Sequence, residues 1–243
     1  MDIRSVIEVA AGAGILAGGA AVLASAALRP ESQLFGHTLI AGRDPDEMAL
    51  TYDDGPNDAA TMDLVELLDR YNAKATFFMI GRFVRERPEI VRAVHAAGHI
   101  VGNHTMNHPW LTNKPASLVR EELRGCNEAL EDVLGAPVRY FRPPHGARRP
   151  VVLRTARDLG LVPVQWNVMG RDWESIGAES IVANIDEGLE RSRRRKRGAN
   201  ILLHDGFDKA MGYDRHATVV ASEKLLERFK NEGRRVVTID VWG

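Results

Sequence analysis

Two adjacent aspartates, Asp53 and Asp54, sit in the stretch LTYDDGPN, where an apolar, strand-like run breaks at Gly55-Pro56. Successive side chains of a strand point to opposite faces, so both carboxylates can serve one site only where the strand gives out. Further on, His104 and His108 stand four apart in GNHTMNHPW. Helical geometry puts that spacing on one face, within reach of a single metal ion, and Pro109 stops the helix after little more than one turn. Read alone, the pair could equally be two surface histidines. A carboxylate from a neighbouring strand end would complete the two-imidazole, one-carboxylate set of catalytic zinc sites, which leaves a coordination position for water. The second carboxylate is then free to accept a proton. Two carboxylates so close repel and raise a pKa unless cations offset them. A metal offsets one, and Arg142 in FRPPHG is placed to offset and orient the other, unless it simply pairs with some acidic neighbour. His204 in LLHDG has a pKa suited to protonating a leaving group. By itself, His204-Asp205 also reads as an ordinary turn after a strand.

These residues need a scaffold that brings them together, and the chain alternates regularly beyond residue 46. Short apolar runs predict strands at Met48–Thr51, Ala75–Ile80, Ile100–Val101, Val138–Phe141, Leu161–Val168, Asn200–Leu203 and Arg235–Val241. Amphipathic stretches between them predict helices over Ala59–Tyr71, Pro88–Ala97, Ser117–Leu134, Pro150–Leu159, Ile181–Arg191 and Thr218–Glu232. Several of these end just before glycine, as at Leu134-Gly135, which fits a helix C-cap. Strands alternating with helices imply a parallel sheet covered by helices. Seven such units without a long break favour closure into a barrel. Sites of parallel α/β sheets form at the C-terminal ends of the strands, and all four polar clusters follow predicted strands.

Composition narrows the partners. The 243 residues carry 32 basic and 33 acidic side chains, a net charge of −1, which gives no electrostatic case for nucleic acid. Cys126 is the single cysteine, so neither an intrachain disulfide nor a cysteine zinc cluster can form, and its helical context suits the core. From Val9 to Leu28 no residue is charged. That length of helix would span a bilayer core of about 30 Å. With Arg4 as a thin positive flank and Ala24-Ser25-Ala26 like an A-x-A cleavage site, the stretch reads as a signal anchor, a cleaved signal peptide, or an Ala-rich helix packed on the domain. Either of the first two places the domain outside the cytoplasm, membrane-anchored, periplasmic or secreted. Residues 29–45 read as a linker leading into a single catalytic domain over 46–243. The basic run RSRRRKR, Arg191 to Arg197, reads as a solvated loop beyond a helix ending near Glu190, with anionic lipid or an acidic wall polymer as possible contacts.

In order, TYDDGPN, HTMNHP, RPPHG, DW and LLHDG resemble the five motifs of the polysaccharide deacetylase family, the NodB-homology domain of carbohydrate esterase family 4. The resemblance runs from Met48 to Val241. It implies a distorted (β/α)7-type barrel and metal-dependent removal of N-acetyl groups from GlcNAc-containing polysaccharide, peptidoglycan or a chitin-like oligomer. It further implies Asp53 as base, Asp54, His104 and His108 as ligands of Zn2+ (with Co2+ or Ni2+ possible), and Arg142 as the residue that holds the base. His204 would be the acid and Asp172 the carboxylate that tunes it. Trp173 and Leu202 would be apolar walls for the acetyl methyl group, and the His145 backbone N–H would contribute to an oxyanion hole.

Two positions depart from the family pattern. Tyr52 stands where the family most often has Phe, and His145 where many members have Tyr. The same acid, base and metal set would also serve a deacylase acting on a small amide or an O-acetyl ester. A carbohydrate-binding domain that had lost catalysis would lack one of these groups, and none is missing. Trp110 could be a sugar platform or a core residue, and Asp214 suits a helix N-cap.

Overall fold

Met48 to Asp54 is an unbroken run of buried side chains, because this segment is an interior strand of the sheet, paired on both sides. The structure, a computed structural model, describes residues 21–243. Residues 21–28 are helical (α1), and the greater part of the charge-free stretch from Val9 lies outside the described residues. Among the described residues no helix is long and apolar enough to cross a membrane.

Strand β1 (Glu47–Gly55) is followed by α2 (Thr61–Arg70), β2 (Thr76–Met79), α3 (Gly81–Glu86), α4 (Pro88–Ala96) and β3 (Ile100–Asn103). Then come α5 (Ala116–Leu134), β4 (Tyr140–Phe141), α6 (Pro150–Asp158), β5 (Val162–Pro163) and β6 (Val168–Met169). Finally α7 (Ala178–Arg194), β7 (Ala199–His204), α8 (His216–Asn231) and β8 (Arg235–Val236) complete the domain. The strands lie in the order β5-β4-β3-β2-β1-β7-β6, with β8 paired to the start of β1. All these pairings are parallel. Helices return the chain between them, and the sheet curls into an incomplete barrel, the distorted (β/α)7 form.

Period-two alternation divides each strand between two environments. Met48, Leu50 and Tyr52 of β1 join Phe77, Met79, Ile201 and Leu203 in the main apolar core beneath the helices. The alternate residues, Ala49, Phe78 and Tyr140, belong to a smaller cluster with Leu39, Val164 and Ile239. Thr51 and Asp53 share the inward face of β1 with Ala49, and their partners across β7 are Leu202 and His204. The barrel interior therefore turns from apolar to polar toward the C-terminal ends of the strands.

The sequence pattern misplaces several boundaries. The run Leu161–Val168 is two short strands, β5 and β6, at opposite ends of the sheet. Residues between them are taken up by the segment before β1, where Leu39 pairs with Val164 and accepts a bond from Gln165 N at 2.8 Å. Leu39 and Ile40 are buried, so the predicted linker is packed against the barrel. Beyond Val236 the last predicted strand becomes a 3-10 turn, Ile239–Trp242. Helix α3 had no apolar period long enough to announce it. Helix α7 runs on to Arg194, so much of the basic run is its last turn, where cations suit the helix dipole. Cys126 is fully buried, as expected. Helix α5 closes on Gly135 at φ +65°, a left-handed position that suits glycine.

The departure at Tyr52 has a structural use. Its ring stacks on Phe77 at 5.1 Å between centroids, and its hydroxyl bonds Ser222 Oγ of α8 at 2.9 Å in a fully buried setting. The hydroxyl ties β1 to the last helix. Tyr52→Phe is expected to cost about 1 kcal/mol, since Ser222 loses a buried partner. Urea denaturation would show a lowered midpoint with the same slope, and activity should stay at the wild-type level.

Candidate active site

Sequence reasoning ended the first strand at Thr51 and placed the aspartates beyond it. Instead β1 runs through both to Gly55, and a bulge brings them to one site. Pairing with β2 slips between Asp53 and Gly55, and Asp54 has φ +75°. Strict alternation would send Asp54 toward the helices with Tyr52. The left-handed residue swings its carboxylate onto the rim, where Oδ1 lies 3.4 Å from His104 Nε2 and 3.2 Å from His108 Nε2. Gly55 permits the arrangement, because a Cβ there would meet the Asp205 carboxylate at 2.2 Å.

The two histidines do converge, but not on a helical turn. His104 to His108 form an irregular loop after β3, with Thr105 and His108 at φ +69° and +59°. Side chains replace the helical bonds. Asn103 Oδ1 accepts from Thr105 N at 2.8 Å, and Thr105 Oγ1 accepts from His108 N at 3.0 Å. From α5, Glu122 accepts from both Asn107 N and Asn107 Nδ2, at 2.8 and 2.9 Å. Asn103 Nδ2 in turn donates to Leu123 O and Asn127 Oδ1. Helix α5 is thus the platform that fixes the histidine loop.

Arg142 is fully buried and reaches across the barrel interior. Its Nη1 donates to Asp53 Oδ1 and to Thr51 Oγ1, each at 2.8 Å. Its guanidinium lies 4.2 Å over the Phe78 ring, and its carbonyl accepts from His104 Nδ1 at 2.8 Å. A carbonyl only accepts, so Nδ1 carries a proton and Nε2 is the nitrogen turned toward Asp54.

On the other side of the rim, β1–β7 register sets His204 directly beside Asp53. His204 Nδ1 donates to Asp172 Oδ1 at 2.8 Å, while Asp172 Oδ2 accepts from His204 N at 2.7 Å and Thr218 Oγ1 at 2.9 Å. Burial opposes charge on His204, but the charge and hydrogen bond of Asp172 outweigh it, raising the imidazole pKa to about 9. Asp172 is likewise penalised by burial yet held below the usual carboxylate range by His204 and Arg215. Trp173 meets the His204 ring edge-on at 5.5 Å, and Leu202 is buried one layer below on the same inward face. His145, at φ +58° in the Pro144–Gly146 turn, packs edge-on against His108 at 4.7 Å. Every predicted site residue therefore lies on or just under one rim.

Asp54, His104 and His108 each offer one ligand atom, all within 4.8 Å of one another. Their chemistry fits a divalent cation. Asp54 Oδ1 is buried with no hydrogen-bond partner, an orphan aimed at two imidazole nitrogens. Burial pushes His108 down to about 3, which keeps it neutral and able to coordinate. Burial also opposes charge on His104, but Asp53 and Asp54 outweigh it and shift its pKa upward.

Several supporting residues carried no usable signal in the sequence. Asn57 is buried, donating to Asp205 O and Tyr213 O and accepting from Gly212 N, each at 2.8 Å, so it anchors the loop after β7. Asp205 packs behind the site with Thr61 Oγ1 donating at 2.6 Å, and burial pushes its pKa up to about 7. Arg215 is buried and donates to Gly206 O and Asp172 O. Asp208 approaches the outer nitrogen of His108 at 3.4 Å. Only the position of Asn57 in DDGPN and of Asp205 beside His204 could have drawn attention to them. Asp214 is not the N-cap the sequence suggests: Arg215 holds that position, and Asp214, one residue earlier, accepts from His216 N at 2.8 Å in the turn that leads into α8.

Removing Arg142 would strand Asp53 as a buried charge. Arg142→Met is expected to cost about 3–5 kcal/mol, much of it recovered in the Asp53→Asn/Arg142→Met double variant. Chemical denaturation of the four proteins checks the cycle.

Known proteins are similar to this chain in sequence and fold. The polysaccharide deacetylase family matches residues 41–164. A peptidoglycan-N-acetylglucosamine deacetylase of Bacillus cereus is 38% identical over 194 residues, covering 79% of this chain and 85% of that protein. A chitooligosaccharide deacetylase of Azorhizobium caulinodans is 40% identical over 168 residues, covering 68% and 77%. Among solved structures, a peptidoglycan N-acetylglucosamine deacetylase in complex with 4-naphthalen-1-yl-N-oxidanyl-benzamide superposes with a TM-score of 0.75 at 30% identity, over 84% of this chain and 91% of that one. With more than half of the chain matched and the five motifs gathered on one rim, the chain belongs to the polysaccharide deacetylase family.

Proposed function

We propose that this protein hydrolyses the N-acetyl group of GlcNAc residues in a polysaccharide, peptidoglycan or a chitin-like oligomer, releasing acetate. The observation that carries the reading is the pairing of Asp53 and His204 side by side across β1 and β7, next to the orphaned Asp54 carboxylate and two imidazoles. The relatives named for peptidoglycan and chitooligosaccharide deacetylation support the substrate class.

Asp54, His104 and His108 would hold a divalent cation, with zinc the best match to two imidazoles and a carboxylate. When bound, such a cation polarises the acetamide carbonyl and lowers the pKa of a water molecule. The chain supplies the proton traffic. Asp53, held by Arg142 through Oδ1, keeps Oδ2 toward the site and takes the proton of the water that attacks the carbonyl carbon. Its orientation is fixed because Thr51 and Asp53 share one guanidinium nitrogen. The His145 backbone N–H is our candidate for steadying the developing oxyanion. His204, charged and held by Asp172, protonates the departing nitrogen as the C–N bond breaks, leaving acetate and a free amino sugar. Trp173 and Leu202 would flank the acetyl methyl group. Outside the cytoplasm such a substrate is at hand, and the charge-free stretch Val9–Leu28 supports an anchor or export signal that takes the domain there.

Acetate release from GlcNAc oligomers, peptidoglycan and O-acetyl xylan, assayed side by side, tests the substrate. Release from xylan alone would overturn the N-deacetylase reading. Asp53→Asn should retain bound metal while turnover falls at least about a thousandfold; His104→Ala should lose both. Chelator-treated enzyme should be inactive until zinc is restored, and chelator-insensitive turnover would remove the metal from the mechanism.

The acid has its own pH signature. A proton donor acts only while protonated, so activity should fall as pH rises through the His204 pKa, which Asp172 holds above the ordinary imidazole value. Asp172→Asn removes that support, and burial then favours the neutral ring. The alkaline limb of the pH–rate profile should move down by about one unit or more. An unmoved limb would take Asp172 out of that role.

A further inference from the structure

Of the four tryptophans, Trp110 and Trp173 stand 47% and 44% exposed, while Trp166 is buried. Among the described residues, and apart from the segment before Leu39 and the C-terminal Val241, they are the only large apolar side chains left so open. Both stand on the catalytic rim, on opposite sides. Trp173 meets His204 edge-on. Trp110 lies flat against His145, with ring centroids 4.0 Å apart and 16° between planes.

The Trp110–His145 stack is held from beneath. His145 meets His108 nearly perpendicularly, and a Cβ on the following Gly146 would meet the buried Trp166 ring at 2.7 Å, so the turn is fitted against the barrel. Pro109 precedes Trp110, and the next residue, Leu111, is fully buried. One indole face is taken by the imidazole, yet nearly half of the side chain remains in contact with water. Burying a large apolar side chain is favourable, so a rigid indole left open beside a reaction centre is poised to cover something. The ligand has to match a flat apolar surface within one ring of a metal-ligating histidine. A pyranose does so: it offers an apolar C–H face of similar size, with its hydroxyls around the edge.

We propose that Trp110, stacked on His145, is the platform for the sugar unit next to the one being deacetylated. The proposal rests on the deacetylase reading above and adds its length preference. A substrate long enough to reach Trp110 binds better, whereas the reacting unit itself is held between His204, Trp173 and the Asp54 cluster. Trp110 is then a specificity-determining residue: it acts on binding and leaves the chemical step alone. The departure at His145 fits this role, since its ring contributes a flat surface rather than a reacting group.

The test uses the full chain, Trp110→Ala and Trp110→Phe, with GlcNAc monomer and pentamer. Trp110→Ala should raise KM for the pentamer about tenfold, equivalent to about 1.4 kcal/mol, with kcat within about twofold. Its kcat/KM for the monomer and its bound metal should match wild type, and Trp110→Phe should recover most of the pentamer loss. An unchanged pentamer KM would overturn the proposal. So would loss of kcat and bound metal on both substrates, which would make Trp110 a support for the histidine loop. Calorimetric binding of the pentamer separates this inference from the reaction it rests on. Wild type that binds tenfold more tightly than Trp110→Ala but releases no acetate upholds the platform and overturns the deacetylase reading. Equal binding by the two overturns the platform.

Discussion

The contact between Arg142 and Asp53 is the constraint around which the barrel interior is arranged. A guanidinium with no solvent exposure is costly unless its donors are met and its charge is balanced. Here Asp53 balances it, Thr51, Asn200 and the Gln165 carbonyl take up donors of Nη1 and Nη2, Phe78 covers its face, and Nε alone is left without a partner. These partners come from β1, β2, β7 and the segment between β5 and β6. Satisfying one cation thus fixes the relative placement of most of the sheet. The same residue orients His104 through its carbonyl, so the base and a ligand share one support.

A second constraint is backbone strain at the rim. Asp54, Thr105, His108 and His145 are all non-glycine residues in the left-handed region, which costs on the order of 1–3 kcal/mol each. Three of them present a side chain to the candidate metal site or pack against it. Side-chain bonds from Asn103, Thr105 and Glu122 offset the cost in the histidine loop, and the β-bulge accommodates it at Asp54. The interior below is regular, and the irregularity is confined to the level where groups must converge.

How much of this could be read from the chain depends on which physics placed each residue. Strands and helices with strong periodicity, such as β1, α2 and α5, were legible because burial alone sets their pattern. The motif residues were legible as a group because adjacent carboxylates, paired histidines and strand-end arginine and histidine are rarely accidental together. The path of the loops was not. His104 and His108 have helical spacing but reach their places through left-handed turns held by α5, a tertiary effect that spacing cannot express. The run Leu161–Val168 has the composition of one strand, yet it crosses the seam of the barrel and divides, because Leu39 from the start of the domain pairs within it. Asn57, Arg215 and Asp208 act through contacts with the loop after β7, which only the closed barrel brings near.

The adjacency of Asp53 and Asp54 becomes intelligible once charge is counted across the whole rim. Two carboxylates in one buried place need roughly two positive charges, and those charges come from opposite directions. Arg142 approaches from inside the barrel and engages only Asp53, whose Oδ1 faces inward. The histidine pair approaches from outside and engages Asp54, whose Oδ1 has no other partner. Had the strand stayed regular, Asp54 would have pointed beneath the helices, where no cation waits and an apolar core would penalise its charge. Had it ended at Thr51, Asp53 would have lost its register with His204. A strand that continues through both residues while twisting at the second meets both demands at once. It keeps the proton acceptor beside the proton donor and delivers the neighbouring carboxylate to the two imidazoles.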